Sequence, residues 1–269
     1  MEPLTRTDKL FVTSQTGGRQ YVWESLSSPT KTVEAQTDIP TYNRNPRIDL
    51  LEMLPRAPQN VLDVGCAAGA TGIELKRRFP KAVVTGVELN EDAAAIARAG
   101  LDRVICKSVE SMDFPAEGFA PGSIDTVFFP DVLEHLYDPW NTLRRLRPFL
   151  TKDAQVLASI PNVRNLWLLN ELLGGKWDYV DEGLLDVTHI RFFTRRTIGE
   201  LFDQTGYSIF RWGINLDPRV PIGDPTTEGT FNIETPKLTL KNLNATDLQE
   251  LRTIQFLVAA VPTPLGSAS

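Results

Sequence analysis

The sequence predicts an α/β fold with a seven-stranded, mostly parallel sheet and helices on both faces. From Asn60 onward, apolar runs of strand length alternate with helical patterns, and this alternation is typical of such sheets. The stretch VLDVGCAAGATG, at residues 61–72, joins the first of these strands to a helix through a loop of small residues. Hydrophobic residues make up 42% of the 269 residues, which is enough for a sizeable core.

The strands and helices follow one another in chain order. The predicted strands are Val61–Val64, Ala82–Glu88, Arg103–Cys106, Ile124–Phe129, Gln155–Ile160, Ser208–Trp212 and Ile254–Val261. Each predicted helix begins or ends at a residue that caps or stops helices. The first three are 46–55 between two prolines, Ala70–Phe79 before Pro80 and Glu91–Ala99 before Gly100. Asp138 and Pro139 open the fourth helix, which is expected to bury Trp140, Leu143, Leu146 and Leu150. The fifth runs from Thr194 to Gly206.

Three segments lie outside this alternation. Residues 1–45 are polar and irregular and predict an N-terminal arm that contributes to a lid, while residues 46–269 form the main domain. Residues 162–193 are rich in aromatic side chains and predict a second lid or an acceptor-binding insertion. Residues 216–250 hold several prolines, glycines and threonines and predict an irregular insertion.

Charge and composition disfavour several classes of protein. The net charge of -6 argues against nucleic acid as a partner, because such partners usually require a basic surface. The two cysteines match no zinc pattern and are too few for a disulfide scaffold. The N-terminus lacks the apolar region of a signal peptide, and no run approaches the ~18 apolar residues of a membrane span. We therefore expect a soluble cytoplasmic protein.

The small-residue loop argues against two common nucleotide motifs. If Gly65 were the first glycine of a dinucleotide fingerprint, glycines should follow at 67 and 70, where the chain has alanines. No Gly-Lys-Ser/Thr follows, so the phosphate-binding loop of nucleotide hydrolases is also excluded. Asp63 lies where a dinucleotide binder usually has an apolar residue, and its carboxylate suits a cationic ligand better than a pyrophosphate.

The same loop resembles a known family. VLDVGCAAG is similar to motif I of the class I S-adenosylmethionine-dependent methyltransferases, usually VLDxGCGxG, with Ala67 where the family most often has glycine. FFPDVLEHL resembles the region of the fourth motif, and the resemblance runs from about Asn60 to Tyr207. It implies a Rossmann-like fold with S-adenosylmethionine as the methyl donor and S-adenosylhomocysteine as the product.

The resemblance also implies a set of donor-binding residues. Glu88 would accept hydrogen bonds from the ribose hydroxyls. Ser108 lies where the family often has an aspartate that contacts adenine, and Arg47 is either a partner for the methionine carboxylate or a surface arginine. The full set is Tyr42, Arg47, Asp63, Gly65, Cys66, Ala67, Gly69, Glu88, Leu89, Ser108, Val109, Phe129 and Asp131.

Two histidines are the candidate catalytic residues, since a hydroxyl or ammonium acceptor must lose a proton. His135, in DVLEHL, is either a base or ligand at the pocket floor or a histidine that hydrogen-bonds within its turn. His189, in LLDVTHIRFFT, resembles a GLLDxTHxRFFT signature of a subset of these enzymes. It is either the general base or part of a hydrogen-bonded knot that includes Asp186, Thr188 and Arg191. An unperturbed imidazole has a pKa of ~6.5, close to working pH.

The acceptor and a metal ion remain open at the level of sequence. The acid-x-x-Glu-His spacing of Asp131, Glu134 and His135 resembles a stretch of the ubiquinone O-methyltransferases that is linked to metal in some members, but we expect no metal.

The expected acceptor is a small molecule with a hydroxyl oxygen, such as a sugar or secondary metabolite. An N- or C-methyltransferase and a non-catalytic donor-binding regulator are the alternatives. Trp167, Trp177 and Tyr179 either wall the acceptor pocket or pack the insertion onto the domain.

Overall fold

The computed structural model describes residues 11–13, 19–21, 45–220, 230–235 and 237–263. In the predicted arm, the strands β1 (Phe11–Thr13) and β2 (Arg19–Tyr21) pair antiparallel. Tyr42, which was predicted to close over the donor, lies outside the described residues. Within the described part of the chain, no helix is both long and apolar enough to cross a membrane.

A seven-stranded sheet forms the centre of the molecule and confirms the predicted fold class. Its strands are β3 (Asn60–Val64), β4 (Val83–Glu88), β5 (Arg103–Cys106), β6 (Ile124–Pro130), β7 (Leu150–Pro161), β8 (Tyr207–Leu216) and β11 (Thr253–Pro262). The spatial order is β5-β4-β3-β6-β7-β11-β8, and β11 runs antiparallel to both of its neighbours. The chain moves outward from β3 to β5 and then returns to place β6 on the other side of β3. Ligands of open α/β sheets bind at the carboxyl ends of the strands at such a reversal.

Helices cover both faces of this sheet. The helices of the described chain are α1 (Ile48–Leu51), α2 (Ala70–Arg78), α3 (Glu91–Ala97), α4 (Pro139–Leu146), α5 (Leu166–Leu173), α6 (Arg195–Gln204) and α7 (Ala245–Arg252), of which α5 and α7 belong to the two insertions. Because side chains alternate along a strand, Leu62 packs with Leu143 and Ile198 on one face, whereas Val61 packs with Leu75 on the other. The caps of α4 and α6 are the predicted ones, since the Asp138 and Thr194 side chains accept from backbone amides of the first turn.

Several local predictions were wrong in detail. The helix expected over 46–55 is only α1, because the chain tightens after it and the Met53 amide bonds to the Leu50 carbonyl in a shorter turn. Trp140 is only partly buried, and Leu150 belongs to β7 rather than to the helix before it. The described part of 216–250 is not irregular. It forms a hairpin of β9 (Phe231–Glu234) and β10 (Thr239–Leu243), followed by α7.

The insertion over 216–250 packs against the insertion over 162–193. A small apolar cluster joins them, made of Leu166, Val220, Leu243, Leu248 and Leu251. Arg164, before α5, donates to Asp247 and to Glu250 of α7, at 2.6 Å in each case. The two insertions therefore stabilise one another beyond the carboxyl end of the sheet.

Candidate active site

The loop after β3 has the backbone shape that its small residues predict. Gly65, Ala67 and Gly69 all have positive φ angles, of 69°, 47° and 85°. A side chain on Gly65 would place its Cβ 2.6 Å from a methyl carbon of Val132, in the turn after β6. The left-handed region costs a non-glycine residue about 1–2 kcal/mol. This explains why glycine is the usual residue at position 67, and the alanine here keeps the same backbone conformation.

Glu88, at the end of β4, holds this loop in place. Its two carboxylate oxygens accept from the Ala67 and Asn90 amides, at 2.8 Å in each case. The Gly65 and Cys66 amides both donate to the carbonyl of Val87. Glu88 therefore lies against the glycine loop, as the predicted ribose contact requires. Carboxylate oxygens retain further lone pairs for a ligand.

Asp63 is a buried carboxyl group at the end of β3, with 1% of its surface exposed. Within the described residues, neither of its carboxylate oxygens has a hydrogen-bond partner. Burial, and secondarily the charge of Glu88, raise the pKa of Asp63 to about 7. Such an unsatisfied buried group is costly unless a ligand or a water completes it. A positively charged ligand at this end of β3 would satisfy this requirement, whereas a pyrophosphate would not.

Arg47 and Asp131 form an ion pair at the same edge of the sheet. The Arg47 guanidinium also donates to Asp49, to the Ser159 hydroxyl at 2.8 Å and to the Gln255 side chain at 2.8 Å. The Ser159 hydroxyl and the Gln255 amide in turn donate to Asp131. Arg47 is thus engaged by protein acceptors, and its contact with the methionine carboxylate remains a prediction.

Sequence reasoning missed Ser159 and Gln255. Both are polar residues inside strands that otherwise read as apolar, QVLASIP and TIQFLVAAV, and that interruption is the signal that could have identified them. Asp131 itself has a φ of 55°, so the backbone turns sharply at the end of β6.

Of the remaining residues predicted to contact the donor, some have buried side chains and the others are exposed or bonded to the backbone. The side chains of Cys66, Val109 and Phe129 are buried, so these residues can contact a ligand only through the backbone. Burial also raises the pKa of the Cys66 thiol, which makes it an inert packing group. Leu89 is 71% exposed, and Ser108 accepts from the Glu110 amide at 3.3 Å.

The structure brings the two histidines together. Their ring centroids are 4.7 Å apart with an interplanar angle of 66°. His135 ends a 3-10 turn, Leu133–His135, and His189 lies in the segment before α6. The link between the two is the backbone carbonyl of Glu134, which accepts from the Ile190 and Arg191 amides at 3.0 and 2.9 Å.

Thr188 and Asp186 hold the His135 ring. The Thr188 hydroxyl donates to Asp186 at 2.6 Å and lies 3.0 Å from His135 Nδ1, which is also 3.2 Å from the Thr188 carbonyl. A carbonyl only accepts, so the proton of this ring is on Nδ1. Arg191, the third residue of the predicted hydrogen-bonded group, donates instead to the Tyr137 carbonyl.

His189 is nearly buried, with 8% of its surface exposed. Its Nδ1 lies 3.4 Å from the Leu184 carbonyl. Burial, followed by the neighbouring His135, lowers the pKa of His189, while Asp186 opposes this effect. The ring is therefore neutral near pH 7 and can accept a proton.

Four of the five Trp, Tyr and Phe residues in 162–193 make packing contacts, and Phe193 does so with Trp140 at a ring-centroid distance of 6.3 Å. The Arg219 guanidinium lies 3.7 Å from the centroid of the Trp167 ring. Trp177 meets Phe192 edge to face at 5.7 Å. Tyr179 is 44% exposed and Phe192 is 42% exposed, so both side chains have surface with which to contact an acceptor.

The sheet order, the left-handed glycine loop and the acid that holds it at the end of β4 define an S-adenosylmethionine-dependent methyltransferase of class I. The model of the family described as "Methyltransferase domain" matches residues 40–211. The chain belongs to this family, and its donor is S-adenosylmethionine.

Individual relatives support the same class. The chain is 33% identical over 128 residues to the ubiquinone biosynthesis O-methyltransferase of Albidiferax ferrireducens, covering 46% of this chain and 50% of that protein. It is 31% identical over 117 residues to the trans-aconitate 2-methyltransferase of Deinococcus radiodurans, covering 43% of each. The chain thus spans about half the length of the curated relatives it matches. A SAM-dependent methyltransferase from Archaeoglobus fulgidus shares the fold with a TM-score of 0.53 and 16% identity, over 80% of this chain and 91% of that one.

Glu88→Ala is expected to weaken donor binding by roughly 1–3 kcal/mol, the range for leaving buried polar partners unmade. The variant removes the predicted ribose acceptor and also releases the Ala67 amide that shapes the loop. Isothermal calorimetry with S-adenosylhomocysteine measures the change. Glu91→Ala, an exposed acid in the first turn of α3, is the matched control. An unchanged affinity in Glu88→Ala would remove this residue from the donor site.

Proposed function

We propose that this chain transfers the methyl group of S-adenosylmethionine to a hydroxyl oxygen of a small-molecule acceptor. The observation that carries the proposal is the contact between the His135 and His189 rings, 4.7 Å apart. The His135 turn follows β6 directly, and Val132 of the same stretch packs against Gly65 of the donor loop. This contact supports a position of the two candidate proton acceptors close to the loop that would hold the donor.

The residues at the end of β3 and β4 fit the donor. The unsatisfied Asp63 carboxyl group, the glycine loop and Glu88 would hold its cationic and ribose parts. When bound, S-adenosylmethionine supplies a methyl group activated by the positive sulfonium sulfur. The protein must align the acceptor oxygen with that methyl group and exclude water. The predicted lid segments, 1–45 and 162–193, would exclude the water.

A hydroxyl acceptor has to lose its proton as the new bond forms. The neutral His189 ring, whose Nδ1 faces the Leu184 carbonyl, would take this proton on Nε2. His135, held by Thr188 and Asp186, would orient the acceptor or accept the proton in its place. Methylation at nitrogen or carbon is the second reading, because the donor-binding residues identify the methyl donor and not the atom that accepts the methyl group.

The test is incubation with methyl-labelled donor and a panel of sugars, phenols, amines and carboxylic acids, followed by mass spectrometry of the products. The proposal expects a methyl ether and no labelled amine. A product methylated only at nitrogen or carbon would overturn the choice of acceptor. Donor binding by calorimetry without turnover on any acceptor, including a cell extract, would favour the non-catalytic regulator. We further expect the reaction to take place in the cytoplasm, where the free Cys66 and Cys106 stay reduced.

A further inference from the structure

Glu134 is a buried acid that lies beside His135 and His189. It is 1% exposed, and within the described residues neither carboxylate oxygen has a hydrogen-bond partner. The carboxylate and one ring nitrogen from each of His135 and His189 all lie within 4.8 Å of one another. A buried carboxyl group beside two imidazoles either keeps its proton or takes a positive partner such as a metal ion, because an uncompensated buried charge is strongly unfavourable.

Both imidazole rings are already oriented by acceptors on the protein. His135 Nδ1 lies against the Thr188 carbonyl and hydroxyl, and His189 Nδ1 lies against the Leu184 carbonyl. This leaves Nε2 of each ring as the nitrogen with a lone pair. Histidines that bind metal are held in this way, with one nitrogen donating to a carbonyl or carboxylate while the other coordinates.

Asp131 does not belong to this group of ligands. Its carboxylate is bound by Arg47, Ser159 and Gln255. The acid-x-x-Glu-His spacing that we considered in the sequence therefore does not describe the ligand set, and His189 of the insertion takes the third place. This ligand set brings together two parts of the chain that the sequence keeps apart.

We propose that Glu134, His135 and His189 form a binding site for a divalent first-row transition ion of the zinc type. Two imidazole nitrogens and one carboxylate oxygen are the ligand set of open zinc sites, which keep a fourth position for a substrate or water. In a tetrahedral site, bonds of about 2.1 Å place the ligand atoms about 3.4 Å apart. To hold the ion, the three ligand atoms would have to approach one another from their present separations, which are all within 4.8 Å.

The use of such an ion, though not its binding, rests on the proposed function. An ion at this position would supply positive charge that lowers the pKa of an acceptor hydroxyl, and the proton would leave to solvent. Because His189 would then be a ligand, the protein in its metal-bound state would no longer need that ring as the base.

The experiment uses the full chain after removal of metals with EDTA, without donor or acceptor. Titration with Co²⁺ is expected to give visible d–d absorption that saturates at one ion per chain. Zn²⁺ is expected to displace the Co²⁺. Glu134→Gln, His135→Gln and His189→Gln should each weaken Co²⁺ binding by tenfold or more, whereas Glu182→Gln, an exposed acid on the same insertion, should leave it unchanged. Equal Co²⁺ affinity in all variants would overturn the proposal.

A second measurement does not depend on any variant folding. The sequence contains only two histidines, so a sample labelled with ¹⁵N in histidine gives two sets of ring signals. Zn²⁺ should shift the Nε2 signals of both rings and leave Nδ1 protonated. Unchanged ring signals would overturn the metal site but not the methyl transfer. Conversely, a failed acceptor panel would leave a positive metal titration intact.

Discussion

Replacing His189 with alanine is expected to lower turnover by about 10²–10⁴-fold, the usual contribution of a general acid or base. Donor affinity should stay unchanged, because the contacts of this ring are with the Leu184 carbonyl and the His135 ring, which lie outside the glycine loop. His189→Gln keeps a donor for the Leu184 carbonyl but cannot take a proton, so it should lose as much activity as alanine. Steady-state kinetics on an acceptor from the panel, with calorimetry of the donor, measures both quantities. A loss below tenfold would indicate that His189 has a structural role in the hydrogen-bonded group of Asp186, Thr188 and Arg191.

The pH dependence of activity tests the same role of His189. A base must be neutral to accept a proton, and the pKa of His189 is lowered from its ordinary 6.5 by burial and by His135. In the EDTA-treated protein, kcat/KM should therefore be flat near pH 7 and fall only as the pH drops through a value below 6.5. If an ion at Glu134, His135 and His189 activates the acceptor instead, activity should vanish with EDTA and return with Zn²⁺ or Co²⁺.

The second large effect is the pH dependence of stability that comes from Asp63. Its carboxyl group ionises near 3.8 in an unfolded chain but only at about 7 in the folded one. Between these values the folded state keeps a proton that the unfolded state has lost, so raising the pH destabilises the fold. From pH 5 to pH 8, the wild-type protein should lose roughly 2–3 kcal/mol more free energy of unfolding than Asp63→Asn, which cannot ionise.

Urea unfolding of both proteins at the two pH values measures this difference. Asp203→Asn, an exposed acid at the end of α6, should behave as the wild type does. Saturation with donor should reduce the loss at pH 8, because a positively charged ligand favours the ionised carboxylate and binds only the folded state. The same pH dependence in Asp63→Asn and in the wild type would show that the carboxyl group is not the source.

Local patterns account for what could be predicted from the sequence. The strands, the caps at Asp138 and Thr194, and the loop from Gly65 to Gly69 each depend on residues close together in the chain. Such signals survive without knowledge of the tertiary structure. The length of α1 was missed because tertiary packing around Leu50 and Met53, and not the flanking prolines, ends the helix.

The insertion over 216–250 was mistaken for irregular structure because its elements are short and its apolar residues face the first insertion rather than the main core. Neither the hairpin nor α7 has a pattern strong enough to be recognised alone. The capping box of Asn244 and Asp247 was the one local sign of a helix start.

The sequence by itself determined the donor. Asp63, Gly65 and Glu88 lie at fixed distances along two neighbouring strands, and a parallel βαβ unit brings the ends of those strands together in only one way. The chemistry that we propose on the acceptor side depends on a contact that only the tertiary structure creates. His135 and His189 are distant in the chain, and they meet because the Glu134 carbonyl accepts the amides of Ile190 and Arg191. That contact leaves the Glu134 carboxylate buried between two oriented imidazoles, and no spacing in the sequence encodes such an arrangement.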